Sequence, residues 1–193
     1  MLFNLKHKFV YVHLPKTGGT SIRKALESKS ETESFISRDR KHMSARQIRD
    51  YLGTETYSSM TSFAHVRNPW DLEVSAYHYV LQNEGHYLHN VFKKLGSFDN
   101  YISWRCRHVP FQQTNMVSDE SGNLIVDHIH KFENLAESYV EIMKRLDIKS
   151  DLPKLNSSKH REYHSYYNEK TKRLVAQAFD KDIELFGYSW SGK

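Results

Sequence analysis

The chain has 193 residues, room for one domain with a sizeable core, and its 38% hydrophobic and 13% aromatic content argues against disorder. One cysteine, Cys106, excludes a disulfide framework and any cysteine-rich zinc module. Twenty-eight Lys+Arg against 23 Asp+Glu leave a net charge of +5, which suits an anionic partner without naming it.

No apolar run approaches the roughly 20 residues that span a bilayer. Lys6, His7 and Lys8 interrupt the start, so no signal peptide is expected and the cytoplasm is the expected compartment. The β-branched and aromatic run at 9–14 predicts a buried strand. Pro15-Lys-Thr-Gly-Gly-Thr-Ser21 follows at once. Ile22, Ala25 and Leu26 then mark one face of a helix, with Thr20 and Ser21 as its N-cap residues. A polar stretch at 28–41 leads to Ser44, the expected N-cap of a short helix. Ile48, Tyr51 and Leu52 supply its apolar face, and Gly53 its stop. A second strand is expected over 62–66. Asn68-Pro69 opens a long helix, because proline fits the first helical position, and Leu72, Ala76, Tyr79 and Val80 form its stripe.

Helices are expected over 86–95 and 98–107, ending before Pro110. Ser121-Gly-Asn123 predicts a turn between Met116-Val117 and Leu124-Ile-Val126, hence a small hairpin, and 129–132 a further strand. Leu135, Tyr139, Ile142, Met143 and Leu146 mark an amphipathic helix. The segment 151–167 reads as irregular, and a last helix spans 168–182. Strands alternating with helices, without repeat or linker, predict a single α/β domain over 1–193. Its mostly parallel central sheet is flanked by helices.

A strand that runs into a glycine-containing loop opening a helix is an anion-binding device. Unpaired N–H groups and the positive end of the helix dipole meet there. Gly18 and Gly19 let backbone approach a phosphate, Thr17, Thr20 and Ser21 offer hydroxyls, and Lys16 adds a charge. This P-loop-like unit differs from G-x-x-x-x-G-K-[ST], since Lys16 precedes both glycines, so a standard ATPase or GTPase is not expected. Taken alone, the loop also reads as an ordinary turn. Arg67, at the end of the second strand, could grip another phosphate, with Ser75 adding a hydroxyl from the next helix.

Pro-Lys-Thr-Gly-Gly-Thr-Ser resembles the 5′-phosphosulfate loop of sulfotransferases that use 3′-phosphoadenosine 5′-phosphosulfate (PAPS). Val66-Arg-Asn-Pro-Trp-Asp-Leu-Glu-Val-Ser-Ala-Tyr77 is similar to the family's 3′-phosphate motif, Arg-[Asp/Asn]-Pro followed by Ser-x-Tyr. Lys131-Phe-Glu-Asn-Leu135, the segment 152–159 and Phe179-x-x-Asp-x-x-x-Phe-Gly-Tyr188 extend the likeness over nearly the whole chain. It is strongest to the carbohydrate sulfotransferase-like group. Leu72 departs from it where relatives often carry an arginine. The resemblance implies sulfuryl transfer from PAPS to an acceptor hydroxyl, on a carbohydrate, releasing 3′-phosphoadenosine 5′-phosphate (PAP). It implies Lys16, Thr17, Gly18, Gly19, Thr20, Ser21, Arg67 and Ser75 as cofactor-binding residues.

Sulfuryl transfer parallels phosphoryl transfer, so the protein must align the partners, neutralise the leaving phosphate and remove the acceptor's proton. Lys16 suits the leaving group. His42, just before the Ser44 cap, is the expected base, and relatives carry a similar histidine before such a helix start. His13 and His65, in strands beside the motifs, are the next candidates for the base and otherwise read as packing or orienting residues. The basic run of Arg38, Arg40 and Lys41 would draw an anionic glycan, and it equally reads as a solvated loop. His86-x-x-His89 and His160-x-x-x-His164 have metal-ligand spacing, but no carboxylate completes them and no metal is expected. Nucleic acid and membrane are not expected partners. An ATP-dependent small-molecule kinase and a non-catalytic binder of acidic polymers are the competing readings.

Overall fold

The computed structural model describes residues 2–27, 34–36, 42–153 and 161–191. They fall into two compact units, each built from two stretches of chain. The first combines Met1–Arg67 with Gln113–Asn156, and the second Asn68–Gln112 with Ser157–Lys193. The strands are β1 (Leu2–Asn4), β2 (Phe9–Val12), β3 (Ser34–Ile36), β4 (Thr61–Val66) and β5 (His128–Lys131). The helices are α1 (Gly19–Glu27), α2 (Ala45–Leu52), α3 (Thr54–Ser58), α4 (Pro69–Gln82) and α5 (His89–Leu95). After them come α6 (Phe98–His108), α7 (Thr114–Val117), α8 (Leu135–Arg145), α9 (Glu169–Ala178) and α10 (Asp180–Leu185).

The first unit holds one sheet in the order β3-β1-β2-β4-β5. β2, β4 and β5 are parallel, while β1 lies antiparallel to both β2 and β3. Four strands therefore run one way and β1 runs against them, so the sheet is mostly parallel as expected. The hairpin from β1 to β2 turns at 5–8, where Asn4 Oδ1 accepts the His7 N–H at 2.8 Å. Side chains alternate along β2 and β4. Phe9, Tyr11 and Phe63 pack in one cluster with Ile22, Ala25 and Leu26 of α1 and Tyr139, Ile142 and Met143 of α8. Val10, Val12, Ala64 and Val66, on the opposite face, are buried as well.

The cap of α2 is as expected. Ser44 accepts the Gln47 N–H, the Gln47 side chain returns the bond, and Gly53 at φ 84° ends the helix. Elsewhere the structure differs. α1 begins at Gly19, and the Gly18 carbonyl accepts from the N–H of Ser21 and Ile22, so Gly18 is the cap and Thr20 and Ser21 lie inside the first turn. The expected hairpin shrinks to one bridge, Ser118 to Leu124, because α7 takes up Met116 and Val117. Asp119 closes that loop by accepting from the N–H of Ser121 and Asn123, both at 2.9 Å. The last helix is two, broken at the fully buried Phe179, whose N–H ends α9 and whose carbonyl starts α10.

The second unit packs Trp70, Val74, Tyr101, Ile102, Val175 and Phe179 into its core. Asn68 caps α4 by accepting the Trp70 N–H, with Pro69 at the first position. Glu73 is fully buried between Tyr101, whose hydroxyl donates to Oε2, and Arg105, whose Nε lies 3.1 Å from the same oxygen. The second-unit cysteine, Cys106, has its thiol pushed up to about 12 by burial, with the Glu73 charge adding to it.

Candidate active site

The loop after β2 is held by its own backbone and by two neighbours. Lys16 adopts φ 65°, a left-handed conformation unusual for a residue with a side chain, and Gly18 follows at φ 76°. The Thr17 hydroxyl is buried and donates to the Leu14 carbonyl at 2.9 Å. A Cβ on Gly18 would stand 2.5 Å from Leu135, and one on Gly19 would overlap the His13 ring. Both glycines therefore allow close packing behind the loop. The first turn of α1 carries no acidic residue; Thr20 there is exposed and Ser21 is buried. An N-terminus without its usual carboxylate is suited to an external anion.

Arg67 leaves the end of β4 and reaches back to this loop. Its Nη1 donates to the Lys16 carbonyl at 2.9 Å, and its guanidinium carbon lies 4.4 Å from the centre of the Phe132 ring. Its backbone is pinned by Gln113, which donates from Nε2 to the Arg67 carbonyl and accepts the Arg67 N–H at Oε1, each at 2.8 Å. Phe132 and Leu135 also flank Gly18, which gives the Phe-Glu-Asn-Leu segment a physical role behind the loop. Ser75 is buried on α4, in the second unit.

His42 is exposed, and its Nδ1 lies 2.9 Å from the His13 carbonyl. A carbonyl can only accept, so Nδ1 carries the hydrogen and the neutral ring keeps its lone pair on Nε2. The His42 ring also tilts against the His13 ring, 4.6 Å between centroids. Arg67 thus meets the loop at Lys16, and His42 is held at His13, two residues before the loop begins, all in the first unit. Sequence reasoning missed Gln113, because no motif marks it. Arg38, Arg40, Lys41 and His160 lie outside the described residues. Among the described residues no group of three or more His, Cys, Asp or Glu could hold a metal ion. No described helix is long and apolar enough to cross a membrane.

His13 and His65 are both buried. The Ser138 hydroxyl donates to the Leu135 carbonyl, so it accepts from His65 Nε2 at 3.0 Å, and His65 Nδ1 has no partner among the described residues. His130 on β5 and Tyr11 on β2 face the His65 ring at 5.7 and 6.3 Å. Burial first, and His130 second, lower the His65 pKa from 6.5 to about 3. Between those values the unfolded chain binds the proton and the folded protein does not, so stability is complete above 6.5 and falls as pH drops toward 3. The expected slope from this ring is about 1.4 kcal/mol per pH unit. Urea denaturation at several pH values should show a flatter slope for His65→Gln; equal slopes would refute the assignment.

The family model described as "Sulfotransferase family" matches residues 1–189. The solved structure of mouse sulfotransferase SULT7A1 complexed with PAP is similar in fold. It has a TM-score of 0.51 and 15% sequence identity, over 97% of this chain and 91% of that one. No curated protein matches the chain. With residues 1–189 matched by one family model, the chain belongs to the sulfotransferase family.

Proposed function

We propose that this protein is a PAPS-dependent sulfotransferase acting on a carbohydrate hydroxyl, and that 1–193 forms a single sulfotransferase-like domain. Cytoplasmic placement, expected from the sequence, is part of the same proposal. The observation that carries the reading is Arg67 bonded to the 15–21 loop at Lys16, with His42 held on the His13 carbonyl just before it. Glycines, hydroxyls, an acid-free helix start and two cations make a donor set that fits a nucleotide with phosphate at both ends. PAPS, when bound, would supply the sulfuryl group, whose bond to the bridging phosphate oxygen is exchanged for one to the acceptor oxygen.

The chain's residues then divide the work. N–H groups at the start of α1, with Thr20 and Ser21, hold the 5′ end, and Lys16 offsets the charge that grows on the leaving phosphate. The sequence motif assigns the 3′-phosphate to Arg67 and Ser75. His42 would take the acceptor hydroxyl's proton at Nε2.

Thermal unfolding with PAP and with AMP tests the reading. A ligand at 100 times its dissociation constant adds about 2.7 kcal/mol of stability. PAP is expected to raise the melting temperature clearly more than AMP at equal concentration. Equal shifts would remove the 3′-phosphate motif from the site.

A further inference from the structure

We propose that Gln113 is a positioning residue for the phosphate-binding loop and acts through Arg67. The inference rests on the reading above, in which the loop and Arg67 hold PAPS. β4 ends at Val66, one residue before Arg67. At Arg67 the Gln113 amide makes the two bonds that a neighbouring strand would make, donating to the carbonyl and accepting the N–H. The side chain is a substitute rung at the residue whose guanidinium must be aimed.

Gln113 is fully buried, so water cannot take over either bond. With both backbone groups held, the direction of the Arg67 side chain is set. It passes over Phe132 and donates to the carbonyl of Lys16, whose left-handed backbone needs an outside restraint. The path therefore runs from the Gln113 amide through the Arg67 backbone to the Lys16 carbonyl, and all its members lie in the first unit. An amide is needed because it presents a donor and an acceptor on one planar group. Gln113→Glu keeps the acceptor for the Arg67 N–H but loses the donor, and sets a carboxylate oxygen against the Arg67 carbonyl. Gln113→Met keeps the volume and loses both bonds.

PAP affinity is measured by calorimetry at a temperature where wild type and variants are fully folded, as judged by circular dichroism. Gln113→Glu is expected to weaken PAP binding about tenfold, and Gln113→Met comparably. Adding Gln113→Glu to Arg67→Lys is expected to cause no further loss, since the first change acts through the residue altered by the second. A residue that only supports folding would lower the melting temperature and leave these affinities alone. Wild-type affinity in a folded Gln113→Glu protein, or full additivity with Arg67→Lys, overturns the inference; where Gln113→Glu does not fold, Gln113→Met decides on the same terms. A wild-type protein that binds PAP no better than AMP overturns the underlying reading, and the inference falls with it.

Discussion

Replacing His42 with alanine is expected to lower kcat by about 10²–10⁴-fold and to leave PAP affinity unchanged. The ring is exposed, yet it is held at two points: Nδ1 on the His13 carbonyl at 2.9 Å, and its face against the His13 ring. That anchor keeps the basic atom, Nε2, in one place and one tautomer. Proton removal from the acceptor is made only in the transition state, so the loss falls on kcat and not on cofactor binding. Single-turnover assays with saturating PAPS, alongside PAP calorimetry, separate the two quantities. Near-normal turnover would end the assignment. His13 and His65 would then be poor substitutes, since both are buried.

Glu73→Ala is expected to cost about 3–5 kcal/mol of stability, the usual result of removing one partner from a buried ion pair. The side chain of Glu73 is wholly enclosed and that of Arg105 is 18% exposed, so little solvent is available to screen the charge left behind. Arg105 keeps one bond, from Nη1 to the Val109 carbonyl at 2.7 Å, and the Tyr101 hydroxyl loses its acceptor. Glu73→Gln retains an acceptor for Tyr101 and should cost less. Urea denaturation of both variants gives the comparison. A loss under about 1 kcal/mol for alanine would mean that water or a neighbour replaces the carboxylate.

Much of the fold can be read from local chemistry. The β2 run, the Ser44 and Gly53 caps, and the Asn68-Pro69 helix start all depend on residues within one turn of one another, and all appear where expected. β1 and β3 do not, because three residues cannot display an alternating pattern. The break at Phe179 was hidden for the opposite reason: apolar periodicity continues across it, and only burial of Phe179 marks the junction. Tyr51 and Tyr79, assigned to apolar stripes by spacing, are 46% and 41% exposed. Their hydroxyl-bearing rings tolerate the solvent side. At the candidate site, the strand-loop-helix unit was legible because a buried strand run ends in two adjacent glycines. Gln113 was not, because its partner is 46 positions away and its bonds are to backbone, which no residue type reveals.

The left-handed backbone at Lys16 carries an evolutionary consequence. Glycine would occupy that conformation without the cost of about 1–2 kcal/mol that a side chain incurs there. A lineage under pressure for heat resistance alone would therefore drift toward glycine at position 16 and shed its ammonium group. If Lys16 offsets the charge on a leaving phosphate, as proposed, its ammonium group is kept at a backbone cost that glycine would not carry.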